Sequence, residues 1–500
     1  MGERIAFKEM AAFRPVTPGY ALMPFRFARL PGRQEVLLTN EVGEFAFVAD
    51  ADLRALVAGT LDRGAPAYDE LASRHFLAEG NPGAVTRMLA AKYRTRKSAL
   101  RGGPALHLFV TSLRCDHSCA YCQVSRQSPD KSRYDMSPAT ARAAVDRMFE
   151  VASPALTVEF QGGEPLLAFD RIRQVTDLVL ERNQAEKRDV SFVVTSTLHQ
   201  LDAGMLAFFR QHGFKLSTSL DGPAWLHDAN RPTPGRDGHA RTLAGIALAR
   251  EWLGDAQVAA LTTLTRRSLD HPEAIVDHYV ENSFRSVFLR PLSPYGFAVR
   301  AERRIGYGTA DFLAFYRRAF AHILRLNREG TRIDEAYAAI LLTHILSPFP
   351  TGYVDLRSPA GAGLGVLVYN YDGSVYASDE GRMLAEMGDT TFRLGSVHQP
   401  WQELAGSDAM ATILGAGVAE ALPGCADCAF LPYCGADPVH ALATQGDPVG
   451  HRPTSAHCAK HTGIFQMLFD YLADGDPGTM RTFLSWVTHQ DRDSLAGGAC

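Results

Sequence analysis

Between His107 and Leu292, six short apolar segments alternate with amphipathic stretches of helical period. This alternation limits the fold more than any other feature of the chain. The segments are HLFVTSL (107–113), ALTVEF (155–160), DVSFVVTST (189–197), KLSTSL (215–220), QVAALTTLT (257–265) and SVFLRPL (286–292). They are rich in β-branched and aromatic residues, which favour strands. After the first of them, Ser137-Pro138 supplies an N-cap and a first helical turn, and Val145, Met148, Phe149 and Ala152 follow at helical spacing. RIRQVTDLVLERN (171–183), DAGMLAFFRQHG (202–213) and HARTLAGIALAREWL (239–253) read as further helices. Strand and helix in regular alternation predict an α/β fold on a parallel sheet, open or curved into a barrel. In such folds the chemistry collects at the carboxyl ends of the strands.

The flanks read differently. Residues 1–100 form a small separate unit. EVLLTN (35–40), a turn at Glu41-Val42-Gly43 and FAFV (46–49) predict a β-hairpin. Asp50 or Asp52 caps the next helix, DLRALVAGTL, with Gly64 just past its end, and APAYDELASRHFL is another helix. KYRTRKS (92–98) is basic and polar and reads as a linker. Residues 309–346 are helical. Residues 359–405 read as strands and turns, with Asp372-Gly373 as a hairpin turn. A closing helix at about 461–473 precedes a polar tail.

The formal net charge of −4, from 51 basic and 55 acidic residues, gives no argument for nucleic-acid or anionic-membrane partners. No apolar run approaches the roughly 18 residues needed to span a bilayer. The start, MGERIAFKEM, has no apolar core of a secretion signal. The expectation is a cytoplasmic protein, where thiols stay reduced and clustered cysteines are metal ligands rather than disulfides.

Three of the eight cysteines crowd into TSLRCDHSCAYCQVSRQ (111–127), spaced Cys115-x3-Cys119-x2-Cys122 at the carboxyl end of the first strand. Thiolates on one loop can face a single iron–sulfur cluster, which usually takes four. Three ligands on a four-iron cube leave one iron open for a substrate or cofactor. A zinc site completed by His117 is the competing reading. A second group, Cys425-x2-Cys428-x5-Cys434 with Cys458 later, supplies four more thiols, for which zinc is again a rival.

Cys-x3-Cys-x-aromatic-Cys after the first of six strands resembles the radical S-adenosylmethionine (SAM) superfamily, and QGGEP (161–165) at the end of the second strand strengthens the likeness. The resemblance implies a partial (β/α)6 barrel over 101–305. It implies a [4Fe-4S] cluster on Cys115, Cys119 and Cys122, with SAM at the open iron. Gly162, Gly163, Glu164 and Pro165 would meet the methionine amino group, and Tyr121 the adenine. Ser219, Arg231 and Leu292 match positions that contact SAM in related peptide-modifying enzymes, and Thr195-Ser196-Thr197 is a candidate for the ribose. Reductive cleavage of SAM would give a 5′-deoxyadenosyl radical that abstracts hydrogen from the substrate.

The second cysteine group resembles the SPASM extension of such enzymes, or its shorter twitch-like form, over 357–475, joined by a helical bridge (306–356) and followed by a tail (476–500). Where that extension would place three further cysteines, this chain has Ala360, Ser378 and Pro438. All three would serve the same auxiliary cluster. The resemblance therefore implies one auxiliary [4Fe-4S] cluster, on Cys425, Cys428, Cys434 and Cys458, with Cys500 unliganded. Asp379 follows Ser378 and matches an aspartate that acts as a base in sulfatase-maturating relatives.

The N-terminal unit resembles winged-helix peptide-recognition domains, in which a leader peptide adds a strand to a hairpin edge. MPFRFARLP, LLTNEVGEF, LRCDHSCAYCQVSRQ and YNYDGSVYASDEGRML resemble the B-type maturase of His-Xaa-Ser peptide systems. That likeness implies a short precursor peptide as substrate, a paired second radical SAM protein and a reductant such as flavodoxin or ferredoxin. A formylglycine-forming sulfatase maturase is one alternative. A non-catalytic iron–sulfur partner that presents peptide is another.

Overall fold

A computed structural model describes residues 19–490; Cys500 lies outside the described residues. The chain divides into two compact units. The first takes the chain up to Ser98 together with 344–350 and 427–433, and the second takes the remainder.

In the first unit the expected hairpin is present. Val36–Thr39 pairs antiparallel with Phe45–Val48, and Arg26–Arg29 adds a third strand on the other side of Val36–Thr39. All four residues of the middle strand are buried. The helix that follows runs Asp50–Ala58 and stops earlier than the sequence suggests. Gly59, at φ 72°, is its left-handed C-cap, so Gly64 is not the terminator. Asp50 does not cap: it opens the helix and pairs with Arg54 across one turn, at 2.6 Å. KYRTRKS is not a linker. Asn81 caps a helix, Pro82–Arg96, that runs through most of it. Arg96 then donates to the carbonyls of His344 (2.6 Å), Ser347 (3.1 Å) and Pro432 (3.2 Å), so the basic stretch ties distant segments into this unit.

The second unit is built on a nine-stranded sheet. Six strands come from the predicted series: β1 (Leu106–Ser112), β2 (Ala155–Gly162), β3 (Asp189–Thr195), β4 (Lys215–Ser219), β5 (Val258–Thr263) and β6 (Leu289–Arg290). Three come later: β7 (Val366–Tyr369), β8 (Ser374–Tyr376) and β9 (Arg393–Ser396). The order is β6-β5-β4-β3-β2-β1-β7-β8-β9, parallel from β6 through β7 and antiparallel beyond. The α/β class and the six sequential parallel strands are as expected. SVFLRPL, however, splits at Phe288: Ser286–Val287 pairs with Asp334–Glu335, and only Leu289–Arg290 joins β5. The buried Glu335 carboxylate accepts the Leu289 amide at 3.1 Å, just past the split.

β7 lies within the stretch that sequence assigns to the cysteine-rich extension, yet it pairs with β1 from Val366↔Leu106 to Tyr369↔Phe109. Leu108, Val110, Leu113, Val366, Val368 and Tyr376 share one core cluster. Alternation along β2 sends Leu156, Val158 and Phe160 into the core and leaves Glu159 and Gln161 on the opposite face, where both line a cavity. That face carries the polar chemistry described below.

Two segments read as irregular are helices. Ser378 caps Asp379–Ala385 by accepting the Gly381 amide at 3.1 Å. The tail contains Pro477–Thr488, opened by Asp476 and by proline at the first turn. Phe483 and Trp486 on that helix lie 6.1 and 5.8 Å from the Phe320 ring of Thr309–Arg328, centroid to centroid. Among the described residues no helix is long and apolar enough to cross a membrane.

Candidate functional site

The cysteine loop leaves β1 and folds back over the carboxyl ends of the strands. The Gln127 amide returns to the Leu113 carbonyl at 2.8 Å, and Arg114 closes the base of the loop through Asp135 (2.7 and 2.8 Å). Cys119 is buried, while Cys115 and Cys122 are half-buried, and all three are free thiols. Burial pushes the Cys119 thiol up to about 12 and raises that of Cys115 as well. A positively charged iron centre would remove that penalty, because metal coordination favours the thiolate. Three soft donors on one loop, with no disulfide to consume them, suit an iron–sulfur cluster with one site left open.

His117 does not turn outward as a fourth ligand. Its Nδ1 sits 2.8 Å from Asp116 Oδ1, and it is almost fully buried. Asp116 also takes the Gln200 amide at 3.1 Å and lies 3.2 Å from His199 Nδ1. Burial opposes its charge, but the hydrogen bonds from His117, His199 and Gln200 prevail and hold the carboxyl well below the usual carboxylate range. Cys115, Asp116 and His117 present ligand atoms within 4.8 Å of one another.

The glycine loop after β2 meets this one backbone to backbone. Gly163 N donates to Ser112 O at 2.9 Å and Glu164 N to Arg114 O at 2.7 Å. A Cβ on Gly162, at φ 143°, would stand 2.0 Å from Ser112 O, and one on Gly163 would stand 2.3 Å from Arg114 O. Both glycines are therefore required by the approach of the two loops. Glu164 is fully buried. Its carboxylate accepts from Leu166 N (3.0 Å), Ser196 Oγ (2.7 Å) and Thr197 N (2.7 Å). It thus spends most of its capacity holding the end of β3, and the Ser196-Thr197 pair is engaged there too. A carboxylate offers about four acceptor sites, and the Thr197 side chain also bears on this one. Pro165 opens the short helical turn that follows.

Tyr121 lies against both Leu292 and Arg231, and Ser219 ends β4. The residue that joins them is one the sequence reading passed over. Asp221, in SLDGP, is fully buried and accepts from Tyr121 Oη (2.7 Å), Arg231 Nε (3.3 Å) and Thr263 N (3.2 Å). The Arg231 guanidinium lies 5.2 Å from the Tyr121 ring centroid. Burial works against its charge, yet Tyr121, Asp221 and Cys119 outweigh that and hold it protonated. Leu292 packs with Cys119, Tyr121, Cys122 and Ala298. The Phe297 amide donates to Cys122 O at 2.8 Å, so the segment after β6 braces the cysteine loop.

Asp379 is placed elsewhere. Its Oδ1 accepts Arg382 Nε at 3.0 Å, and Arg382 is 1% exposed. It lines a smaller cavity with Glu159 and Arg290. Of the three positions lacking cysteine, Ser378 is a helix cap and Pro438 opens Pro438–Gln445. Ala360 is buried, and a Cβ on Gly417 would stand 2.7 Å from its own Cβ. In the second unit Cys425, Cys434 and Cys458 are half-buried and outside any disulfide, and Cys458 sits in the first turn of Ala456–Asp474. In the first unit Cys428 is half-buried and likewise outside any disulfide.

Beside Leu292 and Ala298 opens a cavity of about 820 Å³. It runs from Glu159 and Arg290 on the sheet to Lys460 and His461 on Ala456–Asp474. None of its charged residues was singled out from sequence.

Residues 109–277 match the Radical SAM superfamily. A cysteine-type anaerobic sulfatase-maturating enzyme of Clostridium perfringens is 24% identical over 285 residues, covering 55% of this chain and 75% of that one. The structure of native anSMEcpe with bound AdoMet and Kp18Cys peptide matches at a TM-score of 0.60 and 19% identity, over 74% of this chain and 99% of that one. Streptococcus suis SuiB bound to precursor peptide SuiA matches at 0.51 and 13% identity, over 88% and 99%. Uncharacterised relatives from Methanothermobacter thermautotrophicus, Synechocystis and Methanocaldococcus jannaschii are 29%, 30% and 24% identical over 189, 186 and 190 residues. Those matches take in 37%, 35% and 38% of this chain, and the chain spans only 67%, 44% and 63% of those relatives' own length. The superfamily's cofactors are SAM and a [4Fe-4S] cluster. The segment that matches this superfamily contains the cysteine loop, the glycine loop and the Asp221–Arg231 pair.

Proposed function

We propose that this protein is a radical SAM enzyme that abstracts hydrogen from a ribosomally made precursor peptide of the His-Xaa-Ser type. One observation carries the reading: the cysteine loop and the glycine loop are locked together at successive strand ends, directly beside a cavity large enough for a side chain and its flanking backbone. Cys115, Cys119 and Cys122 would hold the cluster. The glycine loop with Glu164, the Tyr121–Asp221–Arg231 group and Leu292 would hold SAM. When bound, cluster and SAM supply the reductive cleavage that starts the chemistry. The protein's share is to seat both, to keep Arg231 charged and to exclude water behind Leu292 and Ala298. Asp379 would serve as a base only after leaving Arg382.

Ala360, Ser378 and Pro438 support a single auxiliary cluster, on Cys425, Cys428, Cys434 and Cys458, because each of the three replaced positions has taken a packing or capping role. The reconstituted protein should then hold about eight irons. A cytoplasmic location, a flavodoxin- or ferredoxin-type donor and a paired radical SAM protein belong to the same reading. The likeness to sulfatase-maturating enzymes favours one rival, the formylglycine-forming maturase. The test is anaerobic incubation of reconstituted protein, SAM and reductant with a His-Xaa-Ser precursor and, separately, with a sulfatase peptide. A SAM-dependent mass change on the first alone is the expected result. A change on the sulfatase peptide alone assigns the rival. Neither change, with SAM cleavage intact, sinks both.

A further inference from the structure

The cavity beside Leu292 is unbalanced in charge. Glu159, Asp355, Glu380 and Asp437 line it, against Arg290 and Lys460. The histidines His440 and His461 do not restore the balance, because burial lowers the pKa of both. His461 is also committed to the Tyr337 hydroxyl and, through Nδ1, to the His457 carbonyl at 2.8 Å. Asp355 stands open on the cavity side.

A separate observation points to a ligand. Tyr295 is 2% exposed, lines the same cavity, and its hydroxyl has no hydrogen-bond partner. The carboxylates of Asp437, Glu380 and Asp355 are the charges that bear on it. A buried hydroxyl without a partner costs stability unless something is meant to meet it. Here it borders a surplus of carboxyl groups, and it can accept a hydrogen bond from a donor that those groups also attract.

We propose that this cavity receives a cationic side chain of the substrate peptide, an alkylammonium or guanidinium held by Asp355, Glu380 and Asp437 and completed by the Tyr295 hydroxyl. The inference rests on the peptide-modifying reading above and names the side-chain class that the site selects. Arg290 and Lys460 flank the acids and offset part of their charge. Leu292 and Ala298 form the wall shared with the cysteine loop, so the bound side chain sits beside the reacting centre rather than at a remote surface. Burial, followed by repulsion from Asp355, Asp379 and Asp437, raises the Glu380 pKa; burial, followed by Asp437, raises that of Asp355. An arriving cation relieves that repulsion, which is why a charged ligand fits and a neutral one of the same length does not.

The test uses reconstituted holoenzyme with SAM and no reductant. Blocked Ala-Gly heptapeptides carrying lysine, norleucine or glutamate at the centre are measured by equilibrium dialysis at millimolar concentration. The lysine peptide is expected to bind at least tenfold tighter than the norleucine peptide, with glutamate the weakest. Tyr295→Phe should cut the lysine preference severalfold, and Glu380→Gln with Asp437→Asn should remove it while norleucine binding stays. Iron content and near-ultraviolet circular dichroism guard against misfolding. Equal binding of lysine and norleucine peptides, a preference for glutamate, or no binding of any of them overturns the proposal. A peptide modified without charge preference sinks this inference alone. A retained lysine preference with no peptide modified sinks the function proposed above and leaves the subsite standing.

Discussion

Asp221→Asn is expected to be the most damaging single substitution at the site. Asp221 is the one carboxylate against the Arg231 guanidinium and also accepts from Tyr121 and Thr263. Asparagine keeps the shape but removes the charge, and it leaves a nearly buried guanidinium without its counter-ion. Breaking a buried pair from one side costs about 3–5 kcal/mol, whereas Tyr121→Phe should cost only about 1 kcal/mol for one hydrogen bond. Denaturant unfolding of the two variants separates these values, and SAM binding should fall with Asp221→Asn. The double variant Asp221→Asn/Arg231→Gln should be less unstable than the sum of its parts, because the orphaned charge is gone. A loss below about 1 kcal/mol in Asp221→Asn would show that the hub is not structural.

Gly163→Ala should come next. The added methyl would meet Arg114 O at 2.3 Å and Leu113 O at 2.7 Å, and both are backbone atoms of the cysteine loop. No rotamer change relieves that contact, so the β1 and β2 loops must separate. Overpacking of this kind costs about 1–3 kcal/mol. The displacement falls on the segment that carries Cys115. The expected outcome is a chain that still folds but takes up about half its iron, the loss being confined to the triplet cluster. Gly415→Ala is the matched control: nothing lies within 4 Å of its added methyl, and it stands in the helix Asp408–Gly417. It should gain up to about 1 kcal/mol and keep full iron. Equal iron in the two variants would contradict the close-approach account.

The six strands and the cysteine loop were legible because each is written locally. Alternation along ALTVEF sets which residues face the core, and the Ser137-Pro138 pair opens its helix as its chemistry dictates. Asp221 does not stand out from the sequence, because nothing in a linear chain shows that Tyr121, a hundred residues earlier, donates to it. Glu164 was read as a ligand for an ammonium, and most of its acceptor capacity is used on the end of β3. The pairing of β7 with β1 was invisible for the same reason: Val366–Tyr369 shows where a strand lies but not its neighbour. KYRTRKS looked like a linker because its charges suggested solvent. Arg96 instead directs its charge at three carbonyls from two other segments. The cavity acids Asp355, Glu380 and Asp437 come from three separate segments and form a cluster only after folding.

The most direct test of the central claim is SAM cleavage. Reconstituted protein is incubated anaerobically with SAM and dithionite, and 5′-deoxyadenosine is quantified against Cys115→Ala/Cys119→Ala/Cys122→Ala. Product in the native chain and none in the triple variant is the predicted result. No product from a native chain with its iron confirmed, with candidate peptide present, would contradict the catalytic reading and leave a non-catalytic iron–sulfur partner as the account of this protein.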